Sequence, residues 1–362
     1  MTVRFLSLAL VCAGAMGLNG CNSKPAETTS GGLTPTEATS IATDAYVYGY
    51  PLVSVEMTRR VGTNTEKPVG VHAPINQFAN LRAYPNASFK DVTAPNADTL
   101  YSSAFLDLSK EPYVLSIPDM KGRYFLMPML DGWTNVFQVP GKRTTGTKAQ
   151  KYLISGPGWA GTVPDGVTQY KSETNMVWII GRTYCTGTPQ DYAAVHALQD
   201  QYKLVPLSAY GKPYTPPLGN VDPSIDEKTP VRDQVNNLDI SAYFNLLAKL
   251  MKDNPPTADD APMVARMARI GLVPGQPFDA SKLGPDVSNA LQSVPKDTAA
   301  KARQRHEDPR HDGQRVDVQY EDGSLRHRLS GASGNYCIRA GSEPSAGCNL
   351  SHFRGRCRRQ TL

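Results

Sequence analysis

Long apolar runs are scarce in this 362-residue chain, and the one near the start, Phe5 to Leu18, is too short to cross a bilayer as a helix. Cysteine is sparse, with six in all, which excludes a disulfide-built scaffold. Histidine is equally rare, and only His72 and His196 fall before residue 300. No HExxH helix and no GxSxG elbow occurs, so the common zinc-protease and serine-hydrolase signatures are missing. Acidic excess is lacking too. Lys plus Arg number 38 against 33 Asp plus Glu, for a formal charge of +5.

That charge is unevenly placed. Residues 301–362 hold 12 basic and 7 acidic residues, leaving 26 of each in residues 1–300. The basic character therefore belongs to the tail, where Lys301 is the single lysine among arginines. Arginine suits phosphate, but the tail lacks interleaved aromatics, and the export signal described next argues against a nucleic-acid partner. Cys337, Cys348, His352 and Cys357 lack the tight paired spacing of a structural zinc site, so no metal is assigned.

Arg4 followed by the apolar Phe5–Leu18 run has the layout of a secretory signal. Leu18-Asn19-Gly20-Cys21 resembles the lipobox of bacterial lipoproteins, in which cleavage before the cysteine prepares it for acylation. The expectation is a signal peptide over 1–20, lipidation at Cys21, and a polar tether over 21–33 holding the body at the periplasmic side of a membrane.

Thr34-Pro35-Thr36-Glu37 predicts a helix start, and Ala38, Ile41, Ala42, Ala45 and Gly49 repeat at helical spacing until Pro51, which should break or kink the helix. Short β-prone runs then follow: Thr99–Asp107, Tyr113–Ile117, Tyr124–Leu130, Thr134–Val139, Lys151–Ser155 and Asn175–Thr183. They predict an antiparallel sandwich. Thr188-Pro189 opens a helix, Asp239 caps another with the stripe Ile240, Tyr243, Phe244, Leu247 and Leu250, and further helices fit 260–270 and 285–294. Pro-rich Ser208–Pro230 reads as a surface wrap. The predicted organisation is α+β: N-terminal helices over 34–62, a sandwich over 63–187, a helical domain over 188–300, and a disordered tail.

The segments DAYVYGYPLVSVEMTRR (44–60), NQFANLRAYP (76–85), PNADTLYSSAFLD (95–107), GRYFLMPMLDGWTN (122–135), GKRTTGT (141–147) and NMVWIIGRT (175–183) resemble exported bacterial proteins in which domain of unknown function 1254 precedes domain of unknown function 1214. The resemblance implies an immunoglobulin-like sandwich, a small helical domain and a C-terminal jelly-roll-like domain, with no established reaction or cofactor. The third domain is missing from the tail as written. Codons compatible with Glu321–Ser351, read one base later with free bases chosen to suit, spell the YGTDYL and GLGAN signatures that open that domain. The expectation is a frameshift between about 297 and 316, which resequencing of the locus decides.

Gly156-x-Gly158-x-x-Gly161 fits a dinucleotide fingerprint, but turn residues follow where a helix is required, so it is assigned to a loop and no cofactor is expected. Cys185, without a nearby histidine, reads as a small buried hydrophobe. The densest polar cluster joins Asn96, Asp98, Thr99 and Tyr101 to Arg123, Tyr124, Asp131, Thr134 and Asn135, with Arg143 and Arg182 as further cations for an anion. Asp98 and Asp131 form the candidate acid–base pair for a glycan or ester. The same residue types also build Asx-turns and internal ion pairs. The reading preferred from sequence is a truncated envelope lipoprotein that binds a small molecule or envelope component, or serves as a scaffold. An envelope hydrolase, inactive in this form, is the alternative.

Overall fold

Thr34 and Pro35 start the first helix as their chemistry requires. The Thr34 hydroxyl accepts from the Glu37 amide at 3.2 Å, and proline takes the first turn, where its missing N–H costs nothing. The structure is a computed structural model that describes residues 32–86 and 96–307 and short strand segments at 319–321, 324–326, 328–329 and 336–337, with side chains described to residue 300. The N-terminal signal, Cys21, most of the tether and the cysteines and histidine at 348, 352 and 357 lie outside the described residues.

Helix α1 runs unbroken over Pro35–Gly62, so the break expected at Pro51 does not occur. Proline at this position frees the carbonyl of Val47, and Val47 is 56 % exposed, so water can take the orphaned acceptor. The strands are β1 (Ala79–Asn80), β2 (Thr99–Asp107), β3 (Tyr113–Ile117), β4 (Phe125–Leu126), β5 (Met129–Asp131), β6 (Val136–Gln138), β7 (Gln150–Ser155), β8 (Thr168–Lys171), β9 (Met176–Tyr184) and β10 (Lys203–Pro206). Helix α2 (Pro189–Gln199) precedes β10, and α3 (Val231–Asn236), α4 (Ile240–Asp253), α5 (Ala261–Ala268), α6 (Pro285–Leu291) and α7 (Val294–Glu307) follow it. The fold is α+β.

One sheet has the order β1-β2-β9-β5-β6, with β4 also on β9, and the other has the order β10-β3-β7-β8. Every pair in them is antiparallel except β7 with β8, which is parallel. Inward-facing Leu106 and Ile179 of the first sheet share one apolar cluster with Leu115 and Ile154 of the second. A second cluster joins α1 to α3–α7 and to Phe105 and Met176 on the opposite face of the first sheet. There the small-residue stripe of α1 lets helices approach: a Cβ on Gly49 would collide with the Leu247 side chain of α4.

These contacts revise the expected boundaries. β10 pairs with β3 in register Lys203↔Ser116, so the sheet unit continues past 187, and α1 shares its core with the later helices instead of standing apart. Segment 208–230, apart from a single turn at Leu207–Ala209, is irregular and largely exposed, as its prolines predict. In the tail, expected to be disordered, Gln319–Glu321 pairs with Ser324–Arg326 and Arg328–Leu329 with Tyr336–Cys337. None of the described helices is long and apolar enough to cross a membrane.

Candidate functional site

Strand β9 is the ruler for the predicted site. Thr99 lies opposite Tyr184 at one end of it, and Asp131 lies opposite Val177 near the other. Seven residues of strand at about 3.3 Å each separate the ends by about 23 Å. Asp98, next to Thr99, therefore cannot act on the same bond as Asp131, because paired glycosidase carboxylates sit about 5–10 Å apart. The proposed acid–base pair is not formed.

Asp131 has a structural occupation. It is 4 % exposed and accepts from the amides of Trp133 and Asn135, each at 2.9 Å, and from Asn135 Nδ2 at 3.1 Å. Burial pushes its carboxyl up, against the pull of these donors and with Glu173 adding to the rise. The turn it closes carries Thr134 at φ 69°, a left-handed conformation that a β-branched residue adopts only when held. Thr134 and Asn135 thus build the β5–β6 turn and lie far from the other candidates.

The remaining candidates gather at the opposite end of the sheet. Asn96 Oδ1 accepts from the amides of Asp98 (3.1 Å) and Thr99 (3.0 Å) and from the Thr99 hydroxyl (3.0 Å), while its Nδ2 donates to the Tyr101 hydroxyl at 2.6 Å. This Asx-type cap orders the entry to β2 and anchors the Tyr101 ring. Arg182 lies across the sheet from Tyr101 and stacks its guanidinium 5.0 Å from that ring's centre. Arg182 is exposed, and its side chain makes no hydrogen bond or ion pair among the described residues.

Arg123 is engaged elsewhere. Its guanidinium forms a two-pronged pair with Asp191 (3.1 and 2.6 Å) and donates to the Tyr184 carbonyl at 2.9 Å. Asp191 sits in the first turn of α2 and also accepts from the Thr186 amide at 2.7 Å, so its carboxyl is held down to about 2, chiefly by Arg123. A depressed carboxyl pKa stabilises the fold above the ordinary value of 3.8, and that stabilisation disappears as pH falls towards 2. Arg123→Met should therefore cost about 2 kcal/mol at pH 7. The gap between variant and parent in urea unfolding should close between pH 4 and pH 2. A gap that persists at pH 2 would assign the loss to packing.

Tyr124 contributes its carbonyl, which accepts from the Tyr184 amide at 2.9 Å. Arg143 is exposed on the 141–147 loop, which reaches the same sheet through the Leu126–Gly141 bridge. Asp191, Ile180 and Leu126 escape sequence reasoning. The first is betrayed only by its place after Thr188-Pro189. The apolar pattern of β9 fills both faces, so the sequence does not say which side Ile180 shares with Arg182.

Strand alternation puts Tyr101, Arg182 and Leu126 in one outward row across β2, β9 and β4. The next row holds Ser103, Ile180 and Pro128, whose carbonyl accepts from Ile180 at 2.9 Å. A third holds Phe105, Trp178 and Leu130, with Phe105 and Trp178 stacked at 5.0 Å and Trp178 donating to Ser103 Oγ at 2.9 Å. Helix α1 packs over this third row, whereas the first two rows are half-buried apart from the exposed Arg182, and their six residues include no carboxylate. Elsewhere, a pocket of about 430 Å³ opens beside Gln150, Lys151, Tyr152 and Asp165 at the start of β7, with the Gln150 amide tied up by Thr145, Gly146 and Tyr152. Among the described residues no group of three or more His, Cys, Asp or Glu could hold a metal ion.

Residues 75–206 match the family model described as "Protein of unknown function (DUF1254)". No curated protein matches. Among solved structures, the VPA0106 protein from Vibrio parahaemolyticus is similar at 22 % identity and a TM-score of 0.55, over 75 % of this chain and 60 % of that one. The chain thus spans about three fifths of the Vibrio protein's length, and the likeness supports the fold alone. A putative uncharacterized protein from Burkholderia cenocepacia is more remote, with 14 % identity and a TM-score of 0.27 over 55 % of this chain and 54 % of that one.

Proposed function

We propose that this chain is an exported lipoprotein of the cell envelope that works by binding a small molecule or envelope component, without turnover. The separation of Asp98 from Asp131 along β9 carries this choice, since it takes from the rival hydrolase the one carboxylate pair the sequence offers. The signal layout and Cys21 support the anchor, and the two sheets sharing a core support an immunoglobulin-like sandwich as the body. A frameshift in the tail belongs to the same proposal.

The test expresses the chain in an export-competent bacterium with radiolabelled palmitate. Label should enter the parent and vanish in Cys21→Ser. The purified protein and a frame-restored form should then both show no turnover across ester and glycoside substrates. Turnover lost in Asp98→Asn or Asp131→Asn would overturn the binding role, and label retained in Cys21→Ser would remove the anchor.

A further inference from the structure

We infer that the outer face of the six-stranded sheet binds a monocarboxylate with an apolar body, taking the carboxylate at Arg182 and laying the body along β9 toward α1. This rests on the binding reading above and names its ligand class. Among the described residues the Arg182 side chain has no ion pair, whereas Arg123 is consumed by Asp191; Arg143 is also without an ion pair there but stands on the 141–147 loop, off the strand row. The Arg182 guanidinium is nevertheless steadied by stacking on Tyr101, itself fixed by Asn96, so the charge stands ready with little side-chain entropy left to lose.

An arginine fork matches a carboxylate with two parallel hydrogen bonds, and among the described residues no acid pairs with Arg182. Leu126 beside it and Ile180 in the next row form a strip of half-buried apolar surface that ends where α1 packs over Trp178. From Arg182 to Trp178 is four strand residues, about 13 Å, the reach of a medium-length acyl chain. A ligand with both a charge and an apolar body satisfies both halves of the face. A neutral alcohol would satisfy the lower half alone, and a sugar acid the upper half alone.

The probe is decanoate, titrated calorimetrically into the full chain carrying Cys21→Ser, with decanol and galacturonate as comparisons. Decanoate should bind at least tenfold more tightly than either. Arg182→Gln and Arg182→Glu should each weaken decanoate at least tenfold while lowering the unfolding midpoint by no more than a few degrees, because the Arg182 side chain gives up only its stacking on Tyr101. Ile180→Ser should weaken decanoate with the charge still in place. Equal binding of decanol, binding unaffected at Arg182, or no decanoate binding would each overturn the inference. So would a dimer of the parent chain that Arg182→Glu dissociates, which would assign the face to a second copy. These outcomes are independent of substrate turnover, which tests the wider reading.

Discussion

Replacing Asn254 with leucine should destabilise the protein by about 3 kcal/mol, although the side chains are nearly equal in size and no candidate ligand residue is touched. Asn254 ends α4 and is 4 % exposed. Its Oδ1 accepts the Met176 amide at the start of β9 at 3.0 Å, and its Nδ2 donates to the Leu250 carbonyl at 3.3 Å. Its own carbonyl accepts from the Trp133 indole at 3.2 Å, and the neighbouring Asp253 carbonyl accepts from Asn175 Nδ2 at 3.1 Å. One residue thus ties the helical core to β9 and to the turn that Asp131 builds.

Leucine leaves the Met176 amide buried without an acceptor, which costs about 1–3 kcal/mol, and places two methyl groups where Gly132 comes close to the Asn254 amide. Thermal unfolding should show a midpoint lower by about 6–12 °C for a body of this size. Asn254→Asp keeps the acceptor but buries a charge and loses the donor to Leu250, so its loss should shrink as pH falls and the carboxyl becomes a donor again. A leucine variant as stable as the parent would mean that the two cores are joined elsewhere.

Local chemistry made much of this fold legible. Thr99–Asp107, Tyr113–Ile117 and the Asp239-capped helix stand where alternation and capping place them. The failures have physical causes. Pro51 reads as a helix breaker because sequence does not reveal that Val47, whose carbonyl loses its helical donor, is exposed. β8 is TQYK with three of its four residues exposed, and it exists because the register with β7 places it there, which no alternation in four residues announces. At the site, residue types were legible and their company was not. Asp98 and Asp131 lie 33 positions apart in a run of short strands, and only the pairing of both β2 and β5 with β9 shows that they point to opposite ends. Arg123 and Arg182 look alike in sequence. Asp191, from the helix after β9, neutralises Arg123, while Arg182 has no ion pair among the described residues.

Gly181→Val should have the largest effect of any single substitution near the candidate face, costing about 3–5 kcal/mol. Gly181 lies on β9 opposite Ser102, with its α-hydrogens toward the core between the sheets. A Cβ there would stand 2.9 Å from the Ser102 carbonyl and would collide with the Met127 thioether. Met127 can move its sulfur aside, but the carbonyl belongs to the backbone of β2, and valine adds two further carbons to the clash. The strain must be relieved by prising β2 from β9, the longest strand pairing among the described residues. Gly158→Ala, by contrast, should change stability by less than about 0.5 kcal/mol, because a Cβ there meets nothing within 4 Å. The two glycines differ in what crowds them, which the sequence does not show: Gly158 stands in a GxGxxG loop and Gly181 in a strand run. If Gly181→Val folds at all, Tyr101 and Arg182 should lose their register, and decanoate binding should fall with it. Circular dichroism melts of both variants, with decanoate titration of whichever remains folded, check the order: a Gly181→Val protein as stable as Gly158→Ala would refute the close approach of β2 and β9.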